Sequence, residues 1–281
     1  MTGTLTTAIP RDEYQAILLG EIGCERQIER MLEYTTGSDR LHTAYSFALM
    51  GPDHSARVVS EQLAPFVADQ ADSWPCWATS NHDVRRTASR WLQAGESTAS
   101  QRALEGYAVL LATLLGTPCI YQGEELGLPE ADLAFEDLVD PPDITFWPEF
   151  KGRDGCRTPM VWTQDAPYAG FSDHKPWLPV VAEHLDKAAD LQQKTPSSLY
   201  SFYRRLLKWR QQHAVARRGT FCFLASEPGV IAYQRSLDDR ELVVHINLGD
   251  TEVQLAPLRG ELQFGSDTRV LKPGDYRVAL V

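Results

Sequence analysis

The chain has 281 residues, 43% of them hydrophobic and 23% charged, with a formal net charge of −11 and a pI of about 5.1. That balance is typical of one large globular domain or two smaller ones, and its negative sign argues against general nucleic-acid binding, because it repels phosphate backbones. The longest apolar stretch, YAVLLATLLGTPCIY, is too short and too interrupted to span a bilayer, so no membrane partner is expected.

The first residues, MTGTLTTAIPRDEYQ, contain no basic region followed by an apolar core, and so do not read as a secretory leader. Cys24, Cys76, Cys119, Cys156 and Cys222 are scattered, odd in number and without a CxxC pair. They suggest neither a disulfide framework nor a zinc site. Free thiols fit a reducing compartment, and a cytoplasmic location is expected.

In chain order, AILLG (16–20) is a short apolar run ending at Glu21. CERQIERMLEYT follows, with Ile28, Met31 and Leu32 at helical spacing. LHTAYSFALM reads as a buried strand. SARVVSEQLAPFVADQ then places Val59, Leu63, Phe66 and Val67 on one helical face. WPCWATS is strand-like and runs into Asn81-His82-Asp83. A helix is expected within 98–115, stopped by Gly116 and Pro118. TPCIY is a fourth strand, ending at QGEELG. Strands alternating with helices imply a parallel sheet with helical crossovers.

Residues 123–196 lack periodicity but hold Trp147, Phe150, Trp162, Phe171 and Trp177. This is too aromatic for disorder, so it reads as a long ordered loop. SSLYSFYRRLLKWRQQH is a helix with Leu199, Phe202, Leu206 and Trp209 on one face. Beyond it, GTFCFLAS, GVIAYQRSL, RELVVHINLG, TEVQLAP and DYRVALV are short strands separated by turns such as Asp238-Asp239 and Pro273-Gly274. That texture is an antiparallel β module. The division is an α/β unit over 1–216, with its loop at 123–196, and an all-β domain over 217–281.

Acidic residues recur where the apolar strands end: Glu21, Asp83 and Glu124. In parallel α/β folds that end of the sheet carries the active site. Paired carboxylates there suit glycoside hydrolysis, in which one acid protonates the leaving oxygen and another stays ionised. The competing reading is that Glu21 caps the next helix and Asp83 pairs with Arg85 or Arg86. A lone His82 is more often packed or solvated. Spacing alone leaves both readings open.

SNHD after an apolar strand resembles the fourth signature region of glycoside hydrolase family 13, the α-amylase superfamily. ILLGEI resembles the third region, which carries the general acid. IYQGEELGLPE, GRDGCRTPMVW and SLYSFYRRLLKWR resemble the α-glucosidase and oligo-1,6-glucosidase branch. The resemblance implies strands five to eight of a (β/α)8 TIM barrel, a partial barrel, followed by a C-terminal antiparallel β-sandwich. It implies Glu21 as general acid/base. Asp83 would be the third carboxylate, binding sugar hydroxyls and stabilising an oxocarbenium-like transition state. His82 and Arg86 would bind the same sugar. Glu124, at the end of the eighth-strand equivalent, is as readily structural, and Arg153, Asp154 and Arg157 are assigned to architecture.

The implied activity is retaining hydrolysis of α-glucosidic bonds in maltose-type oligosaccharides, with no cofactor and no metal. The alternatives are a non-catalytic amylase-like binding protein, or a transglycosylase or isomerase acting on sucrose or trehalose. The family also uses a nucleophilic Asp after its fourth strand. Only 20 residues precede Glu21, and Asp12, the sole upstream Asp, follows a proline rather than an apolar strand. The expectation is therefore a truncated chain, inactive alone, that associates with itself or with an N-terminal barrel half.

Overall fold

The computed structural model describes residues 17–37, 39–68, 73–92, 98–149 and 151–281. Asp12 and Phe150, named above, lie outside the described residues. The first region alternates strand and helix: β1 (Leu19–Glu21), α1 (Gln27–Thr35), β2 (Thr43–Ser46), α2 (Ala56–Val67), β3 (Pro75–Trp77), α3 (Thr98–Thr113) and β4 (Thr117–Pro118). The strands form one parallel sheet in the order β1-β2-β3-β4. Its register pairs Glu21 with Tyr45, Tyr45 with Cys76, and Trp77 with Pro118. Each crossover therefore carries a helix, and the loops after β1, β3 and β4 leave the same end of the sheet.

The helices form for the reasons their spacing suggests. Met31 in α1 is fully buried, while Glu29 and Glu33 stay on the outer face, paired with Arg26 and Arg30. In α2 the Ser55 hydroxyl accepts from the Val58 amide, satisfying one open donor of the first turn. Val59, Leu63 and Phe66, one helical face, are buried below it. α3 is the central support. Tyr107 to Ala112 are all buried, because the helix is covered both by the sheet and by α4 (Leu199–Gln212).

The described residues of the 123–196 stretch are built from several short turns. These include the helical segments Pro141–Thr145, Ala182–Leu185 and Ala189–Gln193. Such segments are too short to show a 3.6-residue period in sequence.

After α4 and α5 (Ala214–Arg218) come β5 (Thr220–Phe223), β6 (Val230–Leu237), β7 (Arg240–Asn247), β8 (Val253–Gln254), β9 (Glu261–Gly265), β10 (Val270–Leu271) and β11 (Tyr276–Leu280). Five of them form an antiparallel sheet in the order β5-β6-β7-β11-β9, and β8 pairs with β10 in a small second sheet. β9 and β10 were not among the expected strands, since glycines and charges obscure their alternation.

The two regions share one core, which runs from Met31 through Tyr107 and Phe202 to Ile246 and Val278. Arg235 of β6 is wholly buried at that junction. Its guanidinium donates to the carbonyls of Thr113 and Leu114 at 2.8 Å and of Gly219 at 2.7 Å. It thereby satisfies acceptors that the ends of α3 and α5 leave open. No helix among the described residues is long and apolar enough to cross a membrane.

Candidate functional site

The chain leaves β3 at Trp77 and turns sharply. Thr79, Ser80 and Asn81 are buried. Asn81 Oδ1 accepts from the amides of Asp83 (2.9 Å) and Val84 (3.1 Å). This Asx turn fixes the backbone on which the Asp83 carboxylate is carried. Asn81 is thus the reason that an apolar strand can run directly into a charged cluster.

Behind this turn sits Glu124, which follows β4. Its Oε1 accepts from the hydroxyls of Thr79 (2.5 Å), Ser80 (2.7 Å) and Thr87 (3.1 Å), and Oε2 from the Tyr121 amide (2.9 Å). Burial pushes its pKa up, opposed by the hydroxyls of Thr79 and Ser80. Glu124 ties the ends of β3 and β4 together, and its carboxylate is engaged by the protein itself. That is an architectural role.

Asp83 is different. Its side chain is one-third exposed. Oδ1 accepts from both Arg153 Nη1 and Arg157 Nη2, each at 2.9 Å. His82 Nε2 lies 3.6 Å from Oδ2. Arg157 Nε also bonds the His82 carbonyl at 2.7 Å, so one guanidinium holds both residues of the motif. Arg153 in turn forks onto Asp140 with bonds of 2.6 and 2.8 Å, a geometry that fixes a guanidinium plane. Asp140 is buried, and Arg153 beside it holds its carboxyl below the usual range.

Asp140, Asp143 and Asp154 gather their carboxylates within 4.8 Å of one another. Asp143 accepts from the amides of Arg153 and Asp154, and Asp154 Oδ2 from those of Val139 and Asp140. The cluster folds the loop around its own amides.

The four residues singled out from sequence fall in different places. Glu21 is exposed at the last position of β1, two strand spacings from β3, or roughly 10 Å across the sheet. It does not cap α1, whose N-cap is Arg26 with no side-chain cap. His82 is exposed beside Asp83. Arg86 is 2% exposed and lies beneath this surface. Its Nη1 donates to the Gln122 carbonyl at 2.7 Å, its guanidinium stands over the Tyr121 ring, and its backbone amide donates to Glu130. Asp83 pairs with neither Arg85 nor Arg86.

Sequence reasoning left Arg153 and Arg157 outside the chemistry, although both touch the Asp83 carboxylate. Nothing in local spacing connects positions 70 and more residues apart. The available signal was the density of charge in GRDGCR within a loop leaving the same end of the sheet. Chemically, the arrangement presents one carboxylate clamped by two arginines, a histidine beside it, and an exposed glutamate at the end of the first strand.

Residues 6–219 match the family model described as alpha amylase, catalytic domain. A probable alpha-glucosidase of Rhizobium meliloti is 40% identical over 259 residues, covering 89% of this chain and 46% of its own length. An oligo-1,6-glucosidase of Heyndrickxia coagulans is 30% identical over 279 residues, covering 86% of this chain and 49% of its own length. The chain thus spans about half the length of the curated relatives it matches. Among solved structures, the alpha-glucosyl transfer enzyme XgtA superposes with a TM-score of 0.84 at 40% identity, covering 94% of this chain and 51% of that one. The trehalulose synthase MutB superposes at 0.82 with 23% identity, covering 96% of this chain and 56% of that one, and shows a shared fold.

Proposed function

This chain belongs to the alpha-amylase family, and from that premise we propose that it carries part of a retaining α-glucosidase site. The observation that carries this reading is the Asp83 carboxylate, held in place by Arg153 and Arg157 at the end of the parallel sheet where Glu21 also emerges. Glu21, protonated, gives its proton to the leaving glycosidic oxygen and later takes one from water. Asp83 accepts hydrogen bonds from sugar hydroxyls and stabilises the positive charge that develops at the anomeric carbon. His82 borders the same ring. Arg86, buried below, positions the turn that carries them.

The four-stranded sheet corresponds in this reading to strands five to eight of a (β/α)8 barrel. β1 and β4 are its edges among the described residues, and Ile17, just before β1, and Leu19, its first residue, are 77% and 54% exposed. Edges of this kind accept further strands. The nucleophilic carboxylate comes, in this reading, from a complementing barrel half, which a second copy of this chain does not supply. The substrate class is α-linked glucosyl oligosaccharides.

A second reading, glucosyl transfer to a sugar or other hydroxyl acceptor, is favoured by the 40% identity to an alpha-glucosyl transfer enzyme. The two share every step up to attack by water or by the acceptor. The test is release of nitrophenol from p-nitrophenyl α-glucoside by the chain alone and mixed with the N-terminal half of the Rhizobium meliloti relative. Turnover on mixing, abolished by Glu21→Gln, is the expected result. No turnover on mixing, or turnover indifferent to Glu21→Gln, contradicts the reading and favours a non-catalytic binding protein.

A further inference from the structure

Cys76 of β3 and Cys119, the first residue after β4, stand on neighbouring strands and outside the signature motifs. Cys76 lies opposite Thr117 in register, and the Cys119 amide donates to the Trp77 carbonyl at 2.7 Å. Trp77 packs on Phe66 of α2, with ring centres 5.3 Å apart. Side chains alternate along a strand, so Cys76 points to the sheet face away from α2, and Thr117 and Cys119 share that face. There the Cys76 thiol donates a hydrogen bond to the Cys119 sulfur.

The two thiols are unequal. Cys76 is 4% exposed, and its hydrogen bond to Cys119, together with burial, raises its pKa. Cys119 is half-buried beside the exposed Thr117, and the hydrogen bond from Cys76 lowers its pKa against the opposing effect of burial. Water solvates a thiolate on the more open sulfur, while the buried sulfur keeps its proton. Cys119 is therefore the nucleophile of the pair and Cys76 the neighbour that supports it. The remaining cysteines differ. Cys24 and Cys222 are exposed, and Cys156 is wholly buried, its thiol pushed up to about 12 by burial.

An accessible, readily ionised thiol next to a second thiol is the arrangement that responds to oxidants. The offset of two residues puts the two Cα atoms roughly 8 Å apart on an ideal sheet, against about 4.4–6.8 Å in a relaxed disulfide. β4 has only two residues and, among the described residues, pairs with β3 alone, so a short shift of this edge closes the gap. We propose that Cys76 and Cys119 form a dithiol site that hydroperoxides convert into a disulfide between β3 and β4. The Cys119 thiolate attacks the O–O bond of hydrogen peroxide, forming S–OH and releasing hydroxide. The Cys76 sulfur then displaces the hydroxyl as water and the S–S bond forms. Two thiols give up two electrons and two protons, and the peroxide becomes two waters.

Peptide mapping of the full chain tests this without recourse to turnover. The chain is treated with hydrogen peroxide, its free thiols are blocked with iodoacetamide, and its peptides are identified by mass spectrometry with and without dithiothreitol. The expected product joins the peptides of Cys76 and Cys119 within one chain, lighter by two hydrogen atoms, and dithiothreitol reverses it. It forms at least about tenfold faster than oxidation of Cys156 or links through Cys24 or Cys222. Cys119→Ser abolishes the link. Cys76→Ala leaves Cys119 as a sulfenic acid that dimedone traps, which separates the roles of the two sulfurs. The map of the unsubstituted chain decides the matter even where a variant fails to fold. Cys119 left unoxidised, Cys119 oxidised while Cys76 stays free, or links through Cys24 or Cys222 that form as fast overturn the assignment.

Discussion

Asp83 and Glu124 follow neighbouring strands of one parallel sheet, β3 and β4, and as letters in the sequence they give the same signal. Their surroundings are opposite. Glu124 is buried among three hydroxyls and an amide, with no cation bonded to it among the described residues. Asp83 is one-third exposed and bonded by two guanidinium groups. Burial without a cation raises a carboxyl pKa and suits a group that braces a fold. Two guanidinium groups on a solvent-facing carboxylate fix its orientation and leave one of its faces open. An acid at the end of a strand is thus a position, and the donors around it decide whether it becomes architecture or chemistry.

That contrast can be broken most severely at Glu124. Glu124→Ala leaves three buried hydroxyls without their common acceptor and is expected to cost about 3 kcal/mol, or roughly 6–12 °C in melting temperature. Calorimetry of the variant checks this. A loss below about 1 kcal/mol would mean that Glu124 is not the brace its hydrogen bonds imply.

Acid titration probes the layer below the site. His184 is fully buried, with Nε2 3.0 Å from the Pro129 carbonyl, and burial pushes its pKa down to about 4. The unfolded imidazole titrates near 6.5. As pH falls from about 6.5 to 4, the unfolded chain takes up a proton that the folded chain refuses. Stability falls through that window by roughly 2–3 kcal/mol from this group and no further below it. His245, also lowered to about 4 by burial, adds in the same direction. Urea unfolding at several pH values is therefore expected to be less steeply acid-sensitive in His184→Gln. An unchanged slope would refute the assignment.

The smallest effect sharpens the other side of the comparison. Asp140→Asn weakens the fork that orients Arg153, and is expected to cost about 1 kcal/mol of stability. It should lower turnover by the complemented enzyme roughly tenfold, because Arg153 is then free to leave Asp83. Turnover unchanged beside a full stability loss would confine Asp140 to folding.

Much of this was legible in the sequence. The alternation of β1 to β4 with their helices, the buried faces of α2 and α4, and the turns at Asp238 and Gly274 all follow from period and turn chemistry. So did the recurrence of acids at one end of the sheet. What was not legible depends on contacts between distant segments. Arg153 and Arg157 reach Asp83 from a loop whose short turns have no period. Arg86 stands three residues after Asp83 yet is buried, because the turn after β3 sends its side chain toward Gln122 and Tyr121. β9 and β10 are recognised only through their partners, β11 and β8. Each of these is settled by tertiary packing, which local pattern does not encode.

The most direct test of the central claim is hydrolysis of p-nitrophenyl α-glucoside by the complemented chain carrying Asp83→Asn. The account predicts a rate about 10³-fold below that of the unsubstituted complex, with a melting temperature shifted by no more than about 2 °C, as for a group that acts on the transition state. A rate within about threefold of the unsubstituted complex, or a collapse in stability that explains the loss, would show Asp83 to be a brace like Glu124.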